Sequence, residues 1–431
     1  MNRGLTLLIT LCFILASSTV IAGPTILVSV KSPKTQSNGA SSEPSASDTG
    51  RLVAFVSSAT NLAPARCDNG FDQIFVRDRR ARTVTCVSVN SNDNQGNQDS
   101  HAPSISSDGQ FIAFDSAATN LAGGKCDNGF NHVFVRNRTA GTTSCVSVNS
   151  NDNDGNQDSH APSISSDGQF IAFDSAATNL AGGKCNNGVN HIFVHDRSAG
   201  TTTCVSVHSN GTEGNNNSFD PSISSDGKMV AFHSSATNLT ARCTNGNTHV
   251  YVHDLTTGQT RCVSVDSSEN QSNGNSDLPR ISGNGLFVAF ESVATNLTSQ
   301  CNNAFRQIFV RDLTNDRTSC ASMDNNENQG NSDSVQPTIS SDGQLVAFAS
   351  VATNLTTTRC ATGNSHVFVR DRNDRKTSCV SVGPKKAEGN GDSANPSISG
   401  DGRLVAFESN SNNLVKNDAN GILDVFVHVL P

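Results

Sequence analysis

Polar and apolar positions along this chain follow a pattern that returns every 58 or 59 residues. One copy reads "PSISSDGQFIAFDS" from Pro103, a long polar stretch, "HVFVRN" from His132, then "RTAGT" and "TSCVSV". "PSIS" predicts a short first strand. The Asp-Gly of "SSDG" supplies the positive φ that a hairpin turn needs. "QFIAFDS" is almost continuously apolar, which predicts a second strand buried on both faces. "HVFVRN" and "TSCVSV" predict a third and a fourth strand around another tight turn. No segment of useful length carries apolar residues at helical spacing, so no substantial helix is expected.

Seven copies of the first-to-second strand unit start near Pro44, Pro103, Pro162, Pro221, Pro279, Pro337 and Pro396. Residues 97–126 and 156–185 are identical. Four antiparallel strands at a fixed period predict an all-β fold, a single seven-bladed β-propeller. The seventh unit stops after its third strand, "LDVFVHVL" at 423–430, and "ILVSV" at 26–30 matches the missing fourth. The N-terminal strand is therefore expected to pair in the last blade and close the ring, which leaves no open sheet edge.

The core motif, "PSISSDGQFIAF" followed by "HVFVRN", resembles the TolB-like, WD-repeat-like propeller repeat. The resemblance spans residues 23–431 and implies an exported propeller. It departs from TolB in lacking the α/β domain before the first blade, in its blade number, in its long loops and in its cysteines. TolB's envelope partner therefore does not carry over.

Residues 1–22 read as a secretory signal peptide: Arg3, an apolar run containing Cys12, and the small-residue site ending at Ala22. That predicts a secreted or periplasmic protein. No other long apolar run exists, so no membrane insertion is expected. Without the leader, 29 basic residues face 38 acidic ones, and no basic stripe occurs, which argues against nucleic acid as a partner.

The remaining 12 cysteines form six pairs, each 19 positions apart: Cys67/Cys86, Cys126/Cys145, Cys185/Cys204, Cys243/Cys262, Cys301/Cys320 and Cys360/Cys379. Blade seven lacks both members, so bonds within each blade leave no orphan, whereas bonds between blades would strand Cys67 and Cys379. Six intrablade disulfides are predicted.

Strand alternation puts the two tight turns on one face and the long loops on the other. The long-loop face, rich in Asn, Asp, Ser and Gly, is the expected functional face. The first strands line a central channel with Ser and Pro, and Arg280 is the charge there. No cofactor is required by any motif. Calcium is open, at Asp152, Asp154 and Asp158 around Gly155, and at Asp418, Asn420 and Asp424, although neither spacing matches an EF-hand.

His132, His191, His249 and His366 recur at one blade position where Gln73 and Gln307 also stand, which suggests hydrogen bonding within the blade. His101 and His160 repeat too and receive the same structural reading. The residues that break the repeat are His233, Arg280, Glu213 and Glu388. No nucleophile, base and acid stand together in the sequence, and no Gly-x-Ser-x-Gly elbow occurs. The expectation is thus a monomeric, non-catalytic binding or scaffold propeller with a protein or glycan partner. The alternatives are a hydrolase or lyase on the same face or channel mouth, and a calcium-stabilised surface protein.

Overall fold

The computed structural model describes residues 23–32, 35–63 and 66–431, so the signal-peptide reading of 1–22 lies outside the described residues. The chain builds seven four-stranded antiparallel sheets arranged as a closed propeller. Blade 2 shows the plan: an inner strand Ser100–Ile105, a second Phe111–Ser116, a third His132–Asn137 and an outer Thr142–Cys145. Blade 7 takes its outer strand from the other end of the chain. Thr25–Leu27 pairs antiparallel with Asp424–Val429, Ile26 opposite Val427. One short 3-10 turn, Pro384–Lys386, is the helical content of the described residues.

The apolar second and third strands make the core between blades. In each blade an aromatic of the second strand stacks on one of the third, as Phe114 on Phe134 with ring centroids 5.9 Å apart. Such a pair is worth roughly 1 kcal/mol beyond its burial. A serine ladder ties the inner strand to the second: Ser100 Oγ donates to Ser116 Oγ at 3.0 Å, and Ser116 Oγ donates to Asp99 O at 2.7 Å. The buried hydroxyls are thereby satisfied.

Two local features differ from the sequence expectation. The outer strand ends at its cysteine: Val146 N still bonds Val133 O, but Val133 N donates to Ser147 Oγ and the ladder stops there. The inner strand begins three residues earlier than "PSIS". It carries a register shift between its second and fifth residues, as between His101 and Ser104. The residue before each inner-strand proline holds a φ of 47–56°, at Glu43, Ala102, Ala161, Asp220, Leu278, Gln336 and Asn395. A left-handed residue before proline is strained, and such a bulge re-aims side chains. Here it turns one extra residue of every blade toward the axis.

On the tight-turn face the blades are joined around the axis by backbone hydrogen bonds. Ser107 N donates to Ser166 O, Ser166 N to Ser225 O and Ser225 N to Gly283 O. Asn284 N donates to Ser341 O, Ser341 N to Gly400 O, Asp401 N to Asp48 O and Asp48 N to Ser107 O. The ring is tight: a Cβ at Gly283 would lie 2.6 Å from both Ser225 Oγ and Ser341 Oγ, which belong to the blades on either side.

Disulfides join Cys67–Cys86, Cys126–Cys145, Cys185–Cys204, Cys243–Cys262, Cys301–Cys320 and Cys360–Cys379, with Cα separations of 6.2–6.4 Å. The long loop reaches its outer strand because its first cysteine adopts a left-handed backbone, φ 55° at Cys126. Cys301 does without this, and Ala304 has the positive φ that Gly129 has at the same loop position of blade 2. Removing one staple, in a Cys126→Ser/Cys145→Ser double variant, is expected to cost about 3 kcal/mol, read from the urea midpoint. An unchanged midpoint would show that the loop is held by its hydrogen bonds alone.

Candidate active site

The seven blades share nearly all their framework, so the columns that vary between blades stand out. Two of them meet across the first strand pair at the mouth of the channel on the long-loop face. In blade 2 His101 lies opposite Asp115, and in blade 3 His160 lies opposite Asp174. Blade 4 pairs Phe219 with His233, and blade 5 pairs Asp277 with Glu291. Blade 6 has Val335 opposite Ala349, and blade 1 has Ser42 opposite Val56. Blade 7 has Ala394 opposite Glu408, so acids reach beyond blades 2 to 5, but the histidines of these two columns all lie in blades 2 to 4.

The most developed group spans blades 2 and 3. Asp115 Oδ2 reaches His160 Nδ1 at 3.0 Å. Asn131, just before the third strand of blade 2, donates its Nδ2 to the same Asp115 oxygen at 2.9 Å. Asn131 Nδ2 also lies 2.7 Å from His160 Nδ1, so the three groups hold the ring by its Nδ1 edge, and Nε2 has no hydrogen-bond partner among the described residues. The His160 side chain is 47% exposed while that of Asp115 is 7% exposed. The imidazole is thus half in solvent, with the carboxylate that orients it buried behind it. The hydrogen bond to Asp115 lifts the His160 pKa above the usual imidazole value, against burial. Burial, with Asp220 nearby, pushes the Asp174 carboxyl up to about 8, so it carries a proton at neutral pH. Asp115 Oδ1 is buried without a hydrogen-bond partner.

Around this group stand looser pairs. His101 Nδ1 lies 3.9 Å from Glu43 Oε1, and His233 Nδ1 lies 3.6 Å from Asp220 Oδ2. Arg306 pairs with the buried Glu291. Burial raises the pKa of Glu43 and of Asp277. The bulge holds some of these carboxylates in place: Glu408 Oε2 accepts from Glu43 N at 2.9 Å, and Glu291 Oε2 accepts from Gln336 N at 2.8 Å. Below them the bulged segments of the seven inner strands enclose a cavity of about 500 Å³, which Arg280 also lines. That volume suits a small substrate or the end of a larger one. Arg280 Nη1 donates to Pro279 O at 2.8 Å.

The residues singled out in the sequence fall into three groups. His233 and Arg280 are at the mouth and in the channel. Glu213 and Glu388 are not: their carboxylates accept from Asn186 N and Ala361 N in the outer loops. His101 and His160 require a correction, since they are half-exposed at the mouth and paired with acids, whereas the recurrent third-strand histidines are buried. His132 shows the buried arrangement, with Nδ1 on Ser147 Oγ at 2.9 Å and Nε2 on Asn128 Oδ1 at 2.7 Å. Gln73 fills the same place in blade 1, accepting from Ser88 Oγ at 2.6 Å. The signal that would have separated the two kinds of histidine was available in the repeat. The third-strand position admits only His or Gln in the six complete blades, and the mouth positions change character from blade to blade.

The acidic residues considered for calcium are dispersed over different partners. Asp154 accepts from Cys126 N at 2.8 Å, Asp158 from Asn131 N at 2.7 Å, and Asp152 pairs with Lys125 at 3.0 Å. Asp424 accepts from Ser29 Oγ, Ser37 Oγ and Asn420 Nδ2, and Asp418 accepts from Gln36 Nε2. Groups that do bring three ligand-type atoms together are Cys–His–Cys sets such as Cys126, His132 and Cys145, whose sulfurs are already bonded to each other.

No protein-family model matches the chain, and no curated protein matches it. Solved structures do. An oligogalacturonate lyase in complex with manganese aligns over 95% of this chain and 98% of its own, at 11% identity and a TM-score of 0.55. The β-propeller domain of the trilobed protease from Pyrococcus furiosus aligns over 90% and 95%, at 11% identity and 0.55. TolB from Acinetobacter baumannii is also among the similar structures, at 18% identity and 0.40, and this chain spans 60% of its length. Tricorn protease and prolyl endopeptidase share the likeness at 0.50 and 0.53. The expectation of a non-catalytic scaffold is overturned here. Several of the propellers it resembles are named as enzymes or as parts of enzymes, and the mouth of this one brings together acids and bases such as Asp115 and His160, 45 residues apart in the sequence. The six disulfides are consistent with an exported protein. What the chain has in common with the lyase and the protease propellers is its fold, the β-propeller, which it builds with seven blades.

Proposed function

We propose that the chain is an exported acid–base enzyme, a hydrolase or lyase, whose site is the channel mouth on the long-loop face. The observation that carries this is the Asp115–His160–Asp174 group. It combines an oriented imidazole with a free Nε2 and, directly across the strand pair, a carboxyl that keeps its proton. Titratable neighbours whose environments push their pKa values apart mark out acid and base roles.

In this reading His160 Nε2 is the general base. It takes a proton from water in a hydrolysis or from substrate carbon in an elimination. Asp115 holds the ring and stabilises the imidazolium that forms. Asp174 gives its proton to the leaving group. The likeness in fold to a lyase and to peptidase propellers supports the class and goes no further. The six disulfides support an oxidising location, periplasmic or extracellular.

The test is the pH dependence of turnover once a substrate is found on oligosaccharide and peptide panels. Activity requires His160 neutral and Asp174 protonated. The profile should therefore rise through a value above the usual imidazole pKa and fall near pH 8. A flat profile, or no turnover on either panel, would sink the proposal.

A further inference from the structure

We infer that the substrate is an oligosaccharide of neutral or amino sugars, and not one of uronic acids, so that the reaction is hydrolysis. This rests on the function proposed above and adds the substrate class. Three observations carry it.

The first is where the exposed aromatic rings stand. Of the four large apolar side chains exposed among the described residues, two occupy the same loop position: Phe71 in blade 1, 36% exposed, and Phe305 in blade 5, 44% exposed. Each is fixed by a side-chain turn, Asn69 Oδ1 accepting from Phe71 N and Asn303 Oδ1 from Phe305 N, both at 3.3 Å. Each stands one residue before a charged side chain, Asp72 or Arg306. Arg306 reaches in to Glu291, and Asp72 feels the charge of His101. The remaining phenylalanines are mostly core, so a flat apolar face left in water twice at one position is a platform. Sugar rings present flat C–H faces to such platforms and hydroxyls to the polar loops around them.

The second is the charge of the mouth. Every blade except the sixth contributes a carboxylic acid, and only the fifth contributes guanidinium groups, from Arg280 and Arg306. Arg306 is already paired with Glu291. Even with Asp174 neutral the mouth remains negative. A chain with one carboxylate per sugar would be repelled, while neutral or ammonium-bearing sugars would be admitted or drawn in. Elimination needs a carbon acidified by a neighbouring carboxylate, which these sugars lack. Hydrolysis remains: water oxygen bonds the anomeric carbon as His160 Nε2 takes its proton. The glycosidic C–O bond breaks, and Asp174 protonates the departing oxygen.

The third observation argues against a peptide. Peptides dock by adding a strand to a free edge. On the inner strands, an N–H at the channel edge is already taken by a serine of the preceding blade. Ile164 N donates to Ser104 Oγ and Ile223 N to Ser163 Oγ, both at 3.1 Å.

The experiment is calorimetry on the full chain carrying Asp174→Asn, so that binding is read without turnover. The probes are glucosamine hexamer, N-acetylglucosamine hexamer and hexagalacturonate. One of the first two should bind at least tenfold more tightly than the third. Phe71→Ala and Phe305→Ala, added singly, should each weaken that binding about tenfold. Their thermal midpoints should stay put, because the rings are exposed. Equal or tighter binding of hexagalacturonate, no binding of the amino sugars, or affinity indifferent to both phenylalanines would overturn the inference. The two proposals fail separately. Sugar binding with no turnover by the wild-type chain removes the enzyme and keeps the ligand class. Turnover of a peptide does the reverse.

Discussion

Asp174→Asn is expected to lower kcat by about 10²- to 10⁴-fold, the usual contribution of a positioned general acid. Asparagine has the shape of a protonated aspartate and cannot give up a proton. Asp174 is 4% exposed and neutral at pH 7 in the native protein, so the change should neither open a cavity nor remove a charge. KM and the thermal midpoint should therefore be nearly unchanged, and the loss should fall on kcat alone. The alkaline limb of the pH profile should disappear with it, because the group whose deprotonation produced it is gone. His160→Asn should remove the acid limb instead. Glu213→Gln, out in the loop network, serves as the control and should leave both limbs intact. A Asp174→Asn variant that keeps the alkaline limb would move the acid role to another carboxyl, with Asp220 next in line.

The second large effect is on stability in acid. His249 and His428 are buried, and burial pulls both down to about 4. His132, His191, His195, His253 and His366 are lowered for the same reason. An unfolded imidazole takes its proton near pH 6.5, so below that value the unfolded chain binds more protons than the folded one. Stability is then complete above pH 6.5 and is lost as the pH falls toward 4. At the acid end His249 alone accounts for about 3 kcal/mol. Asp174, Glu43 and Asp277 oppose this, since their raised pKa values make the folded state the better proton binder in acid. A single-site comparison cancels their part. His249→Gln, the residue the first and fifth blades already use there, should lose about 3 kcal/mol less than wild type between pH 7 and pH 4 in urea titrations. Parallel losses in the two proteins would mean that His249 is not the group being protonated. The neutral form is built into the site: Ser264 Oγ meets Nδ1 at 3.0 Å, and Nε2 donates to Asn245 Oδ1 at 2.8 Å.

The fold was legible because it is written seven times. Asp-Gly turns, a doubly buried strand and a split last blade each have one physical solution, and together they specify the ring and its closure through Thr25–Leu27. The site was legible only as a face. Its residues lie in different copies, and the step that joins them is the left-handed residue before each inner-strand proline. Sequence rules place that conformation among the disfavoured ones, so the pattern predicts a strand that starts at the proline and does not reach back to Glu43 or Asp220. The repetition that revealed the blades also hid the chemistry. His101 and His160 look like framework because they recur, yet each occupies a position that is Ser, Phe, Asp, Val or Ala elsewhere.

The seven backbone hydrogen bonds that circle the axis on the turn face have a consequence for how the ring can vary. They tie each blade to the next through main-chain groups alone, so the belt is indifferent to which side chains a blade carries. One blade's mouth can therefore change its chemistry, residue by residue, without loosening the ring on the opposite face.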